Sequence, residues 1–469
     1  MTASPPSFDT LPLPAATLAN LQQLGYLGMT PIQAASLPLA LAGHDLIAQA
    51  KTGSGKTAAF GLALLARLDP RLGAGLNPPR LAVQSLVLCP TRELAEQVTQ
   101  ELRRLARADD NIKVLSLCGG NPMRPQLASL EHGAHVVVGT PGRLMDHLDR
   151  GSLQLGALNT LVLDEADRML DMGFHDDIAA IARQCPQPRQ TLLFSATYPE
   201  GIARLAAAFM REPRQVTLTE RHAAAKIRQR FYQVSEDQRL HVVSLLLDHH
   251  RPVSTLAFCN TKQQCRDLLQ VLDAQGYVAL ELHGDLDQRD RDQVLVRFAN
   301  RSCSVLVATD IAARGLDIAQ LEAVINVDIA ADVVTHTHRI GRTGRVDAEG
   351  WAFSLASNDE MGRVGLLEQA LGFTSEWHAL DELTAAAGPP LRPPMRTLQI
   401  LGGRKEKIRP GDVLGALTKD LGYAGTQVGR INVNDYATYV AVDAAVAQQA
   451  QQRLSAGKVK GRSVKVRLL

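Results

Sequence analysis

The residues of this chain that most clearly indicate a chemical role are two adjacent carboxylates. Asp164 and Glu165 follow an apolar run at 161–163, which has the composition of a strand buried on both faces. In open parallel sheets, ligands bind beyond the carboxyl ends of the strands, so the sequence predicts both acids at a binding edge. A solvated acidic loop is the alternative for these residues taken alone.

A glycine-rich segment upstream, AKTGSGKT, argues against that alternative. It stands between a short apolar strand and a sequence that favours a helix. Gly53 and Gly55 permit a tight turn whose amides point at phosphate oxygens, beside the positive N-terminus of the helix. Lys56 adds a cation, and Thr57 offers a hydroxyl to Mg²⁺, which Asp164 would hold from the other side.

The segment departs from the standard phosphate-loop pattern at one position, where Ala50 replaces glycine. The spacing to the later glycine, lysine and threonine is kept. A flexible turn with a chance lysine is the alternative, but a strand before, a helix after and an acid-ended strand downstream weigh against it. Glu165 then remains to position or deprotonate water. The sequence therefore predicts a site that hydrolyses a nucleoside triphosphate.

Charge is unevenly distributed along the 469 residues, a length sufficient for roughly three domains. From Arg392 onward there are 14 Lys or Arg against 5 Asp or Glu. The first 391 residues therefore hold 36 of the 50 basic residues and 43 of the 48 acidic residues. The tail is therefore expected to attract a polyanion such as nucleic acid. A merely solvated, charged tail is the alternative.

The cysteines and the N-terminus indicate a cellular compartment. The six cysteines show no CxxC spacing and mostly lie in apolar runs, so reduced, buried thiols are expected. The N-terminus lacks a basic start with an apolar segment behind it, and no stretch is long enough to span a bilayer. We therefore expect a cytoplasmic enzyme.

Strand-like runs alternate with amphipathic helical stretches twice, which predicts two parallel α/β domains. The first set is LIAQA, SLVLCP, HVVVGT, LVLDEA and TLLFSA, and the second is STLAFCN, VALELHG, SVLVATD, AVINVD and AFSLAS. A polar segment at 217–226 separates them. A proline-rich segment at 385–396 has the composition of a stiff linker. Beyond it, the order βαββαβ is that of an RNA-recognition-motif (RRM) fold.

A series of short strings resembles the motifs of the DEAD-box RNA helicases across essentially the whole chain. No single string is specific, but their order and number are. They are TPIQ at 30–33, AKTGSGKT at 50–57, PTRELA at 90–95, GG at 119–120, TPGR at 140–143, DEAD at 164–167, SAT at 195–197, ATDIAARGLDI at 308–318 and HRIGRTGR at 338–345. The tail resembles a type within this family whose extra module tethers the helicase to a hairpin of large-subunit ribosomal RNA.

The resemblance implies an α/β fold of two tandem RecA-like parallel-sheet domains followed by a small α+β RRM-like (βαββαβ) domain. The expected boundaries are 1–216 for the first lobe, 227–375 for the second lobe, 376–395 for the linker and 396–469 for the RNA-binding module.

The resemblance also implies an ATP site shared by the lobes. Phe8 would stack on adenine, or else be a loosely packed terminal residue. Gln33 would pair with the adenine edge, with Tyr26 packed under its loop. The ATP-binding residues would be Phe8, Gln33, Thr52, Gly53, Ser54, Gly55, Lys56, Thr57, Gly315 and Asp317. The catalytic residues would be Lys56, Asp164, Glu165 and the arginine fingers Arg342 and Arg345, with Thr57 and Asp164 as ligands of Mg²⁺.

RNA contacts and interdomain coupling are assigned by the same resemblance. RNA across both lobes would favour their closure, so ATP hydrolysis should depend on RNA. The RNA-backbone contacts in the lobes would be Pro90, Thr91, Arg92, Gly120, Thr140, Arg143, Thr309 and Arg314. Thr91 and Thr140 could instead cap helices. The coupling residues would be Asp167, Ser195, Thr197, His338 and Arg339.

The C-terminal module departs from the usual RRM pattern. Strand alternation puts Val440 and Val442 inward and Tyr439 outward, where Tyr439 could meet a base, but the usual companion positions hold Ala437 and Gln399, so a full stacking platform is absent. RNA binding is therefore assigned to basic residues on loops, with a solvated face as the alternative. These are Arg404, Lys405, Lys407, Arg409, Lys458, Lys460 and Arg462.

The resemblance, taken with these features, implies a monomeric, RNA-stimulated ATPase that uses ATP and Mg²⁺ to separate short RNA duplexes. The partners that it implies are a hairpin of 23S ribosomal RNA with the adjoining duplex, and the pre-50S ribosomal particle. One alternative is an ATP-gated RNA clamp or chaperone with no net unwinding. Another is a DNA translocase.

Overall fold

The computed structural model of the chain describes residues 5–50, 53–72, 81–109, 111–218, 227–313, 321–344, 349–384 and 388–469. Five of the predicted site residues lie outside these ranges: Thr52, Arg314, Gly315, Asp317 and Arg345. Among the described residues, no helix is both long and apolar enough to cross a membrane.

The first lobe is built on a parallel sheet that has seven strands in the described ranges, in the order β3-β4-β2-β5-β6-β1-β7. The strands are β1 Leu46–Gln49, β2 Ser85–Leu88, β3 Val114–Leu117, β4 Val136–Gly139, β5 Thr160–Leu163, β6 Gln190–Ser195 and β7 Arg214–Thr217. As predicted, β5 is buried on both faces, because its side chains enter the two cores on opposite sides of the sheet. It pairs with β2 along one edge and with β6 along the other.

Helices cover both faces of this sheet. They are α1 Ala15–Gln23, α2 Pro31–Leu41, α3 Lys56–Leu65, α4 Arg92–Leu105, α5 Met123–Glu131, α6 Pro141–Asp149, α7 Ala166–Asp171, α8 His175–Gln184 and α9 Glu200–Phe209. Successive strand residues enter opposite cores, since Val162 packs with Phe60 and Phe194 on one side, whereas Leu161 packs with Met169 on the other. The two cores hold the carboxyl ends of the strands in fixed positions.

The second lobe repeats the architecture, and its described part has the strand order β10-β11-β9-β12-β13-β8-β14. The strands are β8 Ile227–Gln233, β9 Thr255–Cys259, β10 Ala279–Leu282, β11 Val305–Thr309, β12 Ala323–Asn326, β13 Gly350–Ala356 and β14 Trp377–His378. The helices are α10 Arg239–His250, α11 Lys262–Ala274, α12 Gln288–Ala299, α13 Asp310–Ala313, α14 Val333–Ile340 and α15 Met361–Leu371. Because β14 pairs with β8, residues 377–378 belong to this sheet and not to the predicted linker.

The C-terminal module has the predicted βαββαβ order. Its elements are β15 Met395–Ile400, α16 Pro410–Gly415 with a π-helical continuation Ala416–Asp420, β16 Val428–Val433, β17 Thr438–Asp443, α17 Ala447–Ala456 and β18 Val466–Leu468. The antiparallel sheet has the order β16-β17-β15-β18. Leu398, Val440 and Val442 pack with Leu417 and Leu454 of the helices.

The opposite face of this small sheet contacts the second lobe. The Thr397 hydroxyl lies 2.6 Å from the Ser302 hydroxyl and accepts a hydrogen bond from Asn300 Nδ2 at 3.1 Å, and all three side chains are buried. The Met395 backbone N–H donates to the Arg301 carbonyl at 3.4 Å. The module is therefore docked on the second lobe, whereas the proline-rich segment alone predicted a separate unit on an extended linker.

Candidate functional site

The phosphate loop leads from β1 into α3. Gly55 has a φ of 95°, and a Cβ there would lie 2.5 Å from Gln33 Nε2, so both conformation and space require glycine. Gln33 Nε2 donates to the Gly55 carbonyl at 3.1 Å, and Gln33 Oε1 accepts from the Thr30 backbone N–H at 2.9 Å. Lys56 Nζ donates to the Ala50 carbonyl at 2.9 Å. The structure thus brings the predicted adenine-binding amide into direct contact with the predicted phosphate loop.

Three more of the predicted nucleotide residues belong to this loop and to the start of α3. Gly53 is exposed with a φ of 81°, Ser54 is half-buried, and Thr57 lies in the first turn of α3. Phe8 is 4% exposed and packs edge-on to Tyr26, with 6.2 Å between ring centroids. Phe8 therefore belongs to the core of the first lobe, which excludes a loosely packed terminal residue.

The two acids at the end of β5 are buried, and each is held by a specific contact. Glu165 has a φ of 50°, in the left-handed region, and its backbone N–H donates to Asp164 Oδ1 at 3.0 Å. The Glu165 carboxylate accepts from Arg168 Nη1 at 2.7 Å. Such strain in a non-glycine residue, of the order of 1–3 kcal/mol, is characteristic of functional sites.

Burial dominates the electrostatics of Asp164. It raises the pKa of this carboxyl to about 7, with a smaller contribution from the Glu165 carboxylate and against the lowering effect of the Lys56 ammonium. Carboxylate and hydroxyl oxygens, as on Asp164 and Thr57, are ligands that suit Mg²⁺. The residues present therefore fit the predicted metal, whose positive charge would favour the ionised form of Asp164.

Asp167 joins α7 to the segment after β6. Its Oδ2 accepts from the backbone N–H of Ala196 at 3.1 Å, from the backbone N–H of Thr197 at 2.8 Å and from the Thr197 hydroxyl at 2.9 Å. The Asp167 backbone N–H donates to the Ser195 hydroxyl at 3.2 Å. Three of the five predicted coupling residues therefore form one hydrogen-bonded group within the first lobe.

The predicted RNA contacts of the first lobe share an edge of the sheet with these acids. The order β3-β4-β2-β5-β6-β1 places the carboxyl ends of the first three strands beside those that carry the nucleotide residues. The RNA candidates beyond these three strands are Pro90, Thr91, Arg92, Gly120, Thr140 and Arg143. One edge of a single sheet thus presents both groups of residues.

Hydrogen bonds fix the loops at this edge. Arg143 Nη1 donates to the Asn121 carbonyl at 2.9 Å, and the Thr140 hydroxyl accepts from the Gly119 backbone N–H at 3.4 Å. The Thr91 hydroxyl accepts the N–H three residues later, so the helix-capping alternative holds for Thr91. It does not hold for Thr140, whose side chain makes no cap to α6.

In the second lobe, Arg339 on α14 is an internal anchor. Its guanidinium is 1% exposed and donates to both oxygens of Asp310 at 2.7 Å, to the Asp328 carbonyl at 2.7 Å and to Asn260 Oδ1 at 3.1 Å. A longer bond of 3.5 Å to Asn326 occupies the fifth N–H. The structure therefore shows Arg339 as an internal anchor of the second lobe, and its coupling to the first-lobe site stays a prediction.

Three other second-lobe predictions lie in the described part of the chain. Thr309 ends β11, His338 lies on α14, and Arg342 follows α14 with a side chain that is 3% exposed. Asp310, which the sequence analysis did not single out, receives two of the Arg339 bonds. The sequence signal that could have identified Asp310 is its position directly after a buried strand.

In the module, the structure contradicts the predicted exposure of Tyr439. This side chain is 6% exposed, and its hydroxyl accepts from Gln399 Nε2 at 3.1 Å. It shares the sheet face of Thr397, which the second lobe covers. The predicted basic residues lie on loops and are exposed, as expected: Arg404, Lys405, Lys407, Arg409, Lys458, Lys460 and Arg462.

Comparison with known proteins gives consistent matches along the chain. Sequence models match for the DEAD/DEAH box helicase at residues 30–205, the helicase conserved C-terminal domain at 237–347 and the DbpA RNA binding domain at 397–468. The Escherichia coli protein named ATP-dependent RNA helicase DbpA is 52% identical over 464 residues, which cover 99% of each chain. This chain belongs to the DEAD-box ATP-dependent RNA helicases of the DbpA type. It is therefore an enzyme that uses ATP and binds RNA, and both the predicted family and the predicted fold are confirmed.

Other helicases match over the two lobes. The Listeria monocytogenes protein named ATP-dependent RNA helicase CshA is 43% identical over 363 residues, which are 77% of this chain and 68% of that protein. The structure of Saccharomyces cerevisiae Dbp5 bound to RNA and ADP BeF3 has a TM-score of 0.71 at 29% identity, and covers 80% of this chain and 96% of that one. A structure of Mss116p bound to single-stranded RNA and AMP-PNP has the same TM-score at 26% identity, with 81% and 80% coverage.

Proposed function

We propose that this DbpA-type helicase is an RNA-stimulated ATPase that separates short RNA duplexes and remodels 23S ribosomal RNA during large-subunit assembly. One observation carries the proposal: a single sheet edge presents the phosphate loop and the DEAD acids beside the candidate RNA contacts. RNA and nucleotide bound along one rigid edge would each influence the other through the same strands.

The chemistry follows from the residues at that edge. The backbone amides of the Gly53–Gly55 turn and the Lys56 ammonium would bind the triphosphate, for which Lys56 must release the Ala50 carbonyl. Thr57 and Asp164 would hold Mg²⁺, which neutralises charge on the phosphate oxygens when bound. Glu165 would orient the attacking water and accept its proton.

The second lobe would supply the charges that complete hydrolysis. Arg342 and Arg345 carry guanidinium groups of the kind that stabilise charge on a transferred phosphoryl group. The buried Arg339–Asp310 contact would fix the helix that precedes them. Because these donors are not in the lobe that carries the phosphate loop, hydrolysis would require closure of the lobes, which bound RNA favours.

Selection of ribosomal RNA is assigned to the C-terminal module. The match to the DbpA RNA binding domain and the seven exposed basic loop residues support this assignment. The proposed partners are a hairpin of 23S ribosomal RNA and the pre-50S particle, and the protein would act as a monomer.

The proposal is tested by ATP turnover with equal masses of 23S ribosomal RNA, a messenger transcript and DNA of matched sequence. We expect strong stimulation by the ribosomal RNA, weaker stimulation by the messenger and none by DNA, because the lobes would contact 2′-hydroxyls. Equal stimulation by both RNAs would mean that the protein is a general RNA helicase without selectivity for ribosomal RNA. Stimulation by DNA would favour a DNA translocase. ATP-dependent release of a short duplex strand separates unwinding from the clamp alternative, for which no strand would be released.

A further inference from the structure

The C-terminal module, whose residues 396–469 are all described, contains three aromatic residues, and they differ sharply in exposure. Tyr439 is buried on the sheet face that docks on the second lobe. Tyr423 is 8% exposed, bonds through its hydroxyl to Gln449, and lies under the Arg453 guanidinium. Tyr436, at the turn between β16 and β17, is 72% exposed. Only Tyr436 therefore offers a ring to a ligand of this module.

The turn that carries Tyr436 is locked to the basic loop that follows β15. The backbone N–H of Arg404 donates to the Asn434 carbonyl at 2.9 Å, and that of Lys405 donates to the Asp435 carbonyl at 3.0 Å. A Cβ at Gly403 would lie 2.1 Å from the Asn434 carbonyl oxygen, so only glycine permits this close approach. The backbone of the turn that carries Tyr436 is consequently held beside the loop of Arg404 and Lys405.

A second basic loop is joined to the first. Lys460 Nζ donates to the Lys407 carbonyl, and both lysines have positive φ, at 54° and 60°. Left-handed backbone in two non-glycine residues costs free energy, and such strain concentrates at functional sites. The two loops together present the seven basic residues already assigned to RNA.

Acidic residues neutralise only part of this charge. Asp435 lies 3.7 Å from Arg404, and Asp412 lies 3.4 Å from Lys460. Glu406 accepts the Gly403 backbone N–H at 2.7 Å. Seven basic groups against three acidic groups leave a surface that attracts phosphates.

We propose that Tyr436 stacks on an unpaired base of the RNA whose neighbouring phosphates are bound by Arg404 and Lys405. The inference rests on the proposed role of the module in choosing RNA, and it adds a preference for RNA with an unstacked nucleotide. A base in a continuous duplex is stacked on its neighbours and presents no free face. The module would therefore prefer hairpin loops to uninterrupted helices, although its sheet face is closed to RNA.

The test uses the full chain without nucleotide and two RNA probes: a pool of hairpins with one stem and a randomised loop, and a blunt duplex of the stem sequence alone. Tyr436→Ala should weaken hairpin binding by about 5-fold to 160-fold, the range for loss of one base–aromatic stack. Tyr436→Phe keeps the ring and should bind within about twofold of wild type. Neither variant should alter duplex binding.

The salt dependence of binding separates stacking from phosphate contacts. Tyr436→Ala should leave the slope of log affinity against log salt unchanged, whereas Lys405→Ala should reduce its magnitude by about 0.7. If Tyr436→Ala binds the hairpins as tightly as wild type does, and wild-type binding still depends on salt, the stacking role of Tyr436 would be overturned. The phosphate contacts of the module would not be affected by that result. A wild-type slope near zero on both probes would remove the RNA-binding role of the module, and the inference with it.

Discussion

The Arg168 guanidinium donates to the Glu165 carboxylate at 2.7 Å, and the two side chains are 3% and 4% exposed. Arg168 stands one turn along α7 from the acid that we propose to act on water. A buried carboxylate without a cationic partner would take up a proton or reorient. We therefore infer that Arg168 is a positioning residue, which would act on hydrolysis through Glu165.

Replacing Arg168 with leucine should lower RNA-saturated kcat at least about tenfold, because the general base loses the contact that orients it. The KM for ATP should stay within about threefold, since the phosphate loop is untouched. Arg168→Lys should restore part of kcat, whereas the exposed control Arg183→Gln should match wild type. Steady-state ATPase assays measure both constants, and an unchanged kcat for Arg168→Leu would exclude the positioning role.

Replacing Asp167 with asparagine should uncouple strand separation from hydrolysis. Both oxygens of Asp167 accept backbone N–H bonds, one from Arg168 and the other from Ala196 and Thr197. In either orientation, the NH2 group of asparagine would face one of these donors, so at least one bond would be lost, at about 1–3 kcal/mol. We expect the number of strands released per ATP hydrolysed to fall several-fold, with ATP turnover changed less. Thr197→Val removes only the hydroxyl bond and should have a smaller effect. Equal losses of both activities would assign Asp167 to hydrolysis itself.

Replacing Thr397 with valine should loosen the module from the second lobe. The Asn300 amide and the Ser302 hydroxyl would lose their buried partner, which costs about 1–3 kcal/mol. Hydrogen exchange followed by mass spectrometry should show faster exchange at residues 300–302, with the helices of the module unaffected. Thr418→Val, in the first helix of the module, is the control. Protection that stays at the wild-type level would mean that these bonds do not hold the module.

His336 on α14 should make the stability of the second lobe depend on pH. Burial, with a smaller contribution from the Arg339 charge, lowers the pKa of this fully buried imidazole to about 4. As the pH falls below 6.5, His336 takes up a proton in the unfolded chain but stays neutral in the folded lobe, so the free energy of unfolding falls towards pH 4. The loss between pH 7 and pH 5 is about 2 kcal/mol.

Both tryptophans, Trp351 and Trp377, lie in the second lobe, so their fluorescence in urea titrations reports its unfolding. His336→Gln should lose less unfolding free energy than wild type between the two pH values. The exposed His241→Gln is the control and should follow wild type. Identical pH dependence in wild type and His336→Gln would show that the histidine is not held neutral.

The predicted strands were those with continuous apolar runs. All ten such runs correspond to strands, but β3, β7, β8 and β14 were not predicted. The strand β8 reads IRQRFYQ, in which arginine and glutamine interrupt the apolar pattern, and β14 has only two residues. Their pairing depends on neighbouring strands that lie far away in sequence, which local patterns do not record.

The residues of the candidate site could be predicted where they lie within short sequence motifs. The contacts of Asp167 with Ser195 and Thr197, and of Gln33 with the phosphate loop, join residues that those motifs had already named. The exposure of Tyr439 was wrongly predicted, because strand alternation gives the face of a side chain but not what covers that face. Arg168 and Tyr436 were missed because their roles arise from neighbours in space.

The central claim is that Glu165, at the carboxyl end of β5, drives hydrolysis while RNA and ATP bind elsewhere on the same sheet edge. The most direct measurement is RNA-saturated ATP turnover by Glu165→Gln, with binding of ATP and RNA measured on the same preparation. We predict that kcat falls about a hundredfold or more, with both affinities within about threefold of wild type. Turnover close to wild type with both ligands bound would contradict the account.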